Sequence, residues 1–234
     1  MDMEQRKAWN EEHKRLTEII SKPHEHIRAI ELFLTHHAWL YSSKMTHGNS
    51  PTFEDAVLEH LDEQALRRYP VNAPDTKNSI VWHLWHISRI EDMTMNILVA
   101  DGQQVLYSDH WLQKMNIEFS HSGNSMSDSD VAKLSAGIDI SALLEYRMAV
   151  GKQTREIISS LPSGEFRQKV QADRIKRLFD EHALLHEACD IGEYWSKKTI
   201  AGLVLMPATR HHFLHLHKCM RIKNKIQKQM TKRR

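Results

Sequence analysis

Apolar residues in this chain recur at intervals of three and four, and no stretch alternates for long enough to make a strand, so the chain reads as all-α. Pro23 opens a pattern of Ile27, Ile30, Phe33, Leu34, His37, Ala38 and Tyr41 that ends near Gly48, a first long helix. Ser50 or Thr52 can cap a short helix over Phe53 to Arg68, which stops ahead of Tyr69-Pro70 and the polar turn Asn72 to Thr76. Ser79 to Ala100 is a second long helix, closed by Asp101-Gly102. A short helix is expected around Trp111, and Ser120 to Ser129 is a loop whose Ser127 or Asp128 can cap the next helix. Ile140 to Leu161 is the third long helix, stopped by Pro162-Ser163-Gly164, and Gln171 to His186 is helical too. Pro207, favoured in a first turn, starts the last long helix, which runs towards Met230. The expected organisation is one helical domain over 1–234, with a bundle core at about 24–226, a charged N-terminal helix at about 4–21 and a basic tail at about 227–234.

At 234 residues the chain can bury a substantial core, and its formal charge of +2 offers no whole-molecule field for nucleic acid or membrane. No secretory or membrane-spanning run is present, and the two cysteines, Cys189 and Cys219, form no close pair. These features lead us to expect a soluble, cytoplasmic protein with reduced thiols. The segment Lys218 to Arg234 has many cations and no acid, but it lacks interleaved aromatic residues. It reads as solvated charge complementing a helix C-terminus rather than a nucleic-acid surface.

Histidine, at 17 residues, is over-represented, which favours metal binding. In Pro207 to Ile226, His211 and His215 are four apart; at about 100° per residue they leave the helix roughly 40° from each other, the spacing at which two imidazoles share an ion. A third candidate is His86, on a stripe with Trp82, Ile90, Met93 and Ile97. His83 shares a stripe with Ile80, Ile87 and Ile90, so periodicity alone leaves both open. His212 and His217 leave the last helix on other faces and read as solvent-facing or supporting groups, whereas His36, His37, His182 and His186 read as surface or core. Of these four, His37, on the inward stripe of its helix, is best placed to line a pocket.

The run Ser79 to Asp92, Ser-Ile-Val-Trp-His-Leu-Trp-His-Ile-Ser-Arg-Ile-Glu-Asp, and the run Pro207 to Leu216, Pro-Ala-Thr-Arg-His-His-Phe-Leu-His-Leu, resemble the DinB-like superfamily of YfiT-type metalloenzymes. That resemblance spans about His24 to Ile226. It implies a four-helix bundle, here with additional short helices, and a divalent metal, zinc or nickel, held by one His of the second core helix and a His-x-x-x-His pair of the fourth. Carried onto this chain, the ligands are His86, His211 and His215. The additions around Trp111, over Glu187 to Leu205 and at the N-terminus depart from a minimal member and bear on the substrate.

Three neutral imidazoles leave a divalent ion with an open position, as in catalytic sites. The resemblance implies that a low-molecular-weight thiol such as bacillithiol is the cosubstrate, transferred to an electrophile in a detoxifying reaction. Arg210, beside His211, and Arg89, one turn after His86, can bind an acidic thiol or substrate, or can instead make salt bridges with neighbours such as Asp92. A metal-dependent hydrolase on the same three histidines is the alternative; a non-catalytic metal or small-molecule sensor is another, and a homodimer through a bundle face suits any of them. A di-iron bundle does not fit, because the lone Glu-x-x-His spacing, Glu118 to His121, adjoins the polar loop. No zincin motif, phosphate loop or nucleophile triad is present.

Overall fold

The computed structural model describes residues 3–46, 48 and 50–231. In chain order the helices are α1 (Met3–Ile19), α2 (His26–Trp39), α3 (Phe53–Leu58), α4 (Glu63–Arg67), α5 (Ile80–Asp92) and α6 (Trp111–Lys114). They continue with α7 (Asp128–Gly137), α8 (Ile140–Ser160), α9 (Ala172–Asp180), α10 (Cys189–Ser196), α11 (Ile200–Leu205) and α12 (His211–Thr231). Among the described residues no strand forms, and no helix is long and apolar enough to cross a membrane. α2, α5, α8 and α12 make the four-helix bundle: α5 packs on α8 and α12, α2 packs on α8, and α1 lies over α2 and α11.

Several helix ends follow from local chemistry. The Ser79 hydroxyl accepts the Trp82 N–H and starts α5, and reciprocal capping boxes, Thr52 with Asp55 and Ser127 with Asp130, start α3 and α7. Elsewhere the expectations need correction. α2 stops at Trp39 rather than near Gly48, and the helix expected over Phe53 to Arg68 breaks between Leu58 and Glu63, where His60 takes a left-handed φ of 57° and Asp62 caps a new helix. α9 ends at Asp180, with His182 also left-handed.

Pro207 does not open the last helix. It lies in a π-helical turn, Met206–Arg210, that joins α11 to α12. Its missing N–H would break a regular helix, and the turn absorbs that defect while the Thr209 hydroxyl bonds the carbonyls of Val204 and Leu205. A second π segment, Met93–Val99, continues α5. The basic tail is described only as far as Thr231, and residues 232–234 lie outside the described residues. In the segment that begins at Lys218, exposed Arg221 and Lys225 meet Asp75 and the Asn72 carbonyl, whereas Lys223 is buried rather than solvated and donates to the Ala56 carbonyl.

All 13 residues of α5 are buried, including Arg89, Glu91 and Asp92. A helix covered on every side is central, and its charges must find partners inside. Arg89 donates to Asp92, Tyr146, Gln104 and the Ser120 carbonyl. Arg147 of α8 pairs with Glu54 of α3 at 2.5 Å and bonds Ser88 and the Leu84 carbonyl of α5. Breaking such a buried pair costs about 3–5 kcal/mol, because the abandoned charge stays buried. These pairs set the rotation of α5, and with it the direction in which His86 points.

Candidate metal centre

His86 lies in the second turn of α5, stacked on Trp82 one turn earlier at 4.7 Å between centroids and 9° between planes. Its Nδ1 donates to the Ser122 carbonyl at 2.6 Å. A carbonyl only accepts, so the proton sits on Nδ1 and the lone pair on Nε2. The loop supplying that carbonyl is held by Arg89 at Ser120 and by the Ser122 N–H bonded to Ala183. At Gly123 its φ is +83°, and a side-chain carbon there would meet the Trp85 ring at 2.5 Å, so the close approach needs glycine.

From α12, His211 and His215 face the same point. The ring centroids lie 4.4 Å apart for His211 and His215, 4.9 Å for His86 and His215, and 5.1 Å for His86 and His211. One nitrogen of each lies within 4.8 Å of one nitrogen of both others, a group able to hold a metal ion. His86 is 3% exposed and His215 8%, while His211 is partly open. Burial lowers the His86 pKa to about 4, against the opposing pull of the Ser122 bond. Burial, reinforced by the neighbouring imidazoles, lowers His211 and His215 well below the ordinary histidine value. All three are therefore neutral at pH 7 and offer lone pairs.

The residues fit a divalent ion on a further count. Nδ1 of His211 is buried without a hydrogen-bond partner, a condition that costs about 1–3 kcal/mol unless a ligand satisfies the group. The His215 ring is engaged at Nδ1, which lies 3.0 Å from Nδ1 of His83. Cys219, one turn beyond, sits in the core with its thiol pushed up to about 12 by burial, and it takes no part in the group.

The other sequence candidates fall elsewhere. All three Arg89 nitrogens are committed to internal acceptors, which leaves no donor for a substrate. Arg210 is partly exposed; its Nη1 donates to Asn10 of α1 at 2.5 Å, and its guanidinium lies over the rings of Trp9 and Phe213. His37 is fully buried, with Nε2 2.9 Å from Glu91 Oε1, and His212, also fully buried rather than solvent-facing, places Nε2 2.7 Å from Oε2. The Tyr41 hydroxyl donates to the same Oε2. Burial alone would raise the Glu91 carboxyl, yet the two imidazoles and their hydrogen bonds hold it well below the usual carboxylate range. His217 packs edge-on against Phe53 and Phe213, away from the ligand face, His36 is buried against Trp9, and His182 and His186 are exposed.

Sequence reasoning did not reach the Ser122 carbonyl, since a backbone acceptor leaves no mark in a motif. It also left His83 without a role, although His83 shares the inward side of α5.

Fold and site together define a helical bundle with a three-histidine cluster, able to hold a metal ion, between its second and fourth core helices. The family model of the DinB superfamily matches residues 53–217, which include all three histidines, and the chain belongs to that superfamily. No curated protein matches the chain.

Proposed function

We propose that the protein is a metal-dependent S-transferase that joins a low-molecular-weight thiol of the bacillithiol type to an electrophilic small molecule, a detoxifying reaction. The observation that carries this reading is the donor set. Three neutral imidazoles converge, and among the described residues no carboxylate or thiolate joins them. Held by His86, His211 and His215, a zinc or nickel ion would keep its full charge and an open position. When bound, the ion supplies Lewis acidity that lowers the pKa of a thiol, making its sulfur nucleophilic near neutral pH.

The chain's own residues do the rest. The Ser122 carbonyl fixes the tautomer of His86, and Trp82 covers that ring and excludes water from its flat face. Arg210, next to His211 and partly exposed, is the cation we assign to the acidic groups of the thiol, a role for which its guanidinium must leave Asn10, Trp9 and Phe213; Arg89 has no donor left for it. In the transfer the thiol gives its proton to solvent, a sulfur–carbon bond forms, and the leaving group departs with its bonding electrons.

The test starts from protein purified without a histidine tag, analysed for bound elements, stripped, and reloaded with zinc or nickel. Turnover of an electrophile that needs both ion and thiol, and that rises with pH through a pKa well below the roughly 8.5 of a free thiol, supports the transferase. Hydrolysis that proceeds without thiol and is suppressed by it would make the site a hydrolase. Ion binding with neither activity would make it a sensor.

A further inference from the structure

Nδ1 of His83 lies 3.0 Å from Nδ1 of His215, and the two rings meet edge to face at 4.9 Å and 76°. On its other side, Nε2 of His83 lies 2.9 Å from the Thr76 hydroxyl oxygen. One proton lies between the two Nδ1 atoms, so one ring donates and the other accepts. If His83 donated, neutral His215 would carry its own proton on Nε2 and have no lone pair there for an ion. If His215 donates, its lone pair is on Nε2. His83 then accepts at Nδ1, carries its proton on Nε2, and donates it to Thr76. Only the second arrangement is compatible with ligation through Nε2 of His215.

We propose that His83 is a positioning residue for the metal centre: it accepts the Nδ1 proton of His215, passes the constraint to Thr76, and so selects the ligating tautomer and rotamer of His215. The proposal rests on the three-histidine metal reading. His83 lies outside the three-histidine group and contacts His215 at Nδ1, which leaves Nε2 of His215 for the ion. It does for His215 what the Ser122 carbonyl does for His86, with an imidazole in place of a backbone oxygen.

The outer end of this chain of bonds is fastened as well. The Thr76 hydroxyl oxygen also accepts the Asn78 N–H at 3.1 Å. Its loop is tied to α12 by Arg221 at the Pro74 carbonyl and Asp75, and by Lys225 at the Asn72 carbonyl. The helix that presents His215 thus also anchors the loop that terminates the relay.

The experiment titrates Co2+ into the metal-free full-length protein and follows the visible absorption of the ion, with His83→Phe, His83→Asn and wild type in parallel. Phe keeps a ring and removes the acceptor, whereas the Asn amide oxygen restores an acceptor near the position of Nδ1. The expected result is a loss of ~10–100-fold in affinity with a changed spectrum for His83→Phe, and recovery of most of that affinity in His83→Asn. Equal affinity and spectra in all three, or equal loss in both variants, would overturn the proposal.

Nitrogen NMR of the Zn2+-loaded wild type gives a reading independent of how the variants fold. It should show His83 protonated at Nε2 and His215 at Nδ1, and a His83 protonated at Nδ1 would overturn the proposal. Failure of wild type to bind Co2+ or Zn2+ would instead defeat the three-histidine reading on which it rests.

Discussion

His211 and His212 are adjacent in sequence and answer to different partners: His211 converges with His86 and His215, whereas His212 places Nε2 2.7 Å from the buried carboxylate of Glu91. A helix sends neighbouring side chains about 100° apart, so one turn of α12 serves both the metal face and the charged interior of the bundle.

That division predicts different failures. His211→Ala and His215→Ala should abolish metal retention while far-ultraviolet circular dichroism stays helical. His217→Ala should retain the ion. His212→Ala should retain part of its metal but lose about 3 kcal/mol in urea unfolding, because Glu91 keeps its charge and loses an imidazole. Equal metal loss across all four variants would show that the face assignment is wrong.

Acid should weaken the metal-free protein in a defined window. Burial lowers His36, His86 and His217 from 6.5 to about 4. Their unfolded forms therefore take up protons as pH falls below about 6.5, while the folded forms resist until near 4. More protons bind to the unfolded chain across this window, so stability rises with pH. It is complete above pH 6.5 and is lost towards pH 4. Thermal unfolding from pH 7 to 4 should show the midpoint falling. His36→Phe, which keeps a ring against Trp9, should flatten the fall; a midpoint independent of pH in wild type would contradict the assignment.

Arg89 separates a structural role from a substrate-binding one. Its five N–H groups meet Asp92, Tyr146, Gln104 and Ser120, a set that lysine cannot reproduce. Arg89→Lys should lose about 3–5 kcal/mol in denaturant unfolding. A variant of wild-type stability with only a raised KM for thiol would place the guanidinium at the substrate instead.

Gly123→Ala tests the loop over His86. The added carbon meets Trp85 in a left-handed backbone, at a cost of about 1–3 kcal/mol. Displacement of Ser122 should also weaken Co2+ binding, read by titration. Unchanged affinity in a folded variant would show that the Ser122 bond is dispensable.

Much of the bundle could be read from the chain, because its signals are local. Ser79 and Ser127 announce helix starts through their own hydroxyls, Pro162 ends α8, and the His211–His215 spacing puts two imidazoles on one face whatever surrounds them. What escaped depends on partners distant in sequence. Arg89 and Asp92 look like a surface pair until the rest of α5 is seen to be buried on every side. Glu91 carries no sequence signal of burial; His37, 54 residues before it, and His212 on the last helix close on it only in the fold. The break after Leu58 turns on a left-handed His60, a conformation that no apolar spacing reveals.

The π turn at Met206–Arg210 bears on where the histidines of α12 point. A π turn carries one residue more than a regular helix and takes it up by widening, so the helix beyond it keeps its phase. Were the turn to tighten into a regular helix with no residue lost, everything downstream would advance by about 100° and His211 and His215 would swing off the face of α5 together, with neither imidazole altered; Pro207 opposes that tightening. The direction of both imidazoles thus depends partly on Pro207, a residue outside the three-histidine group.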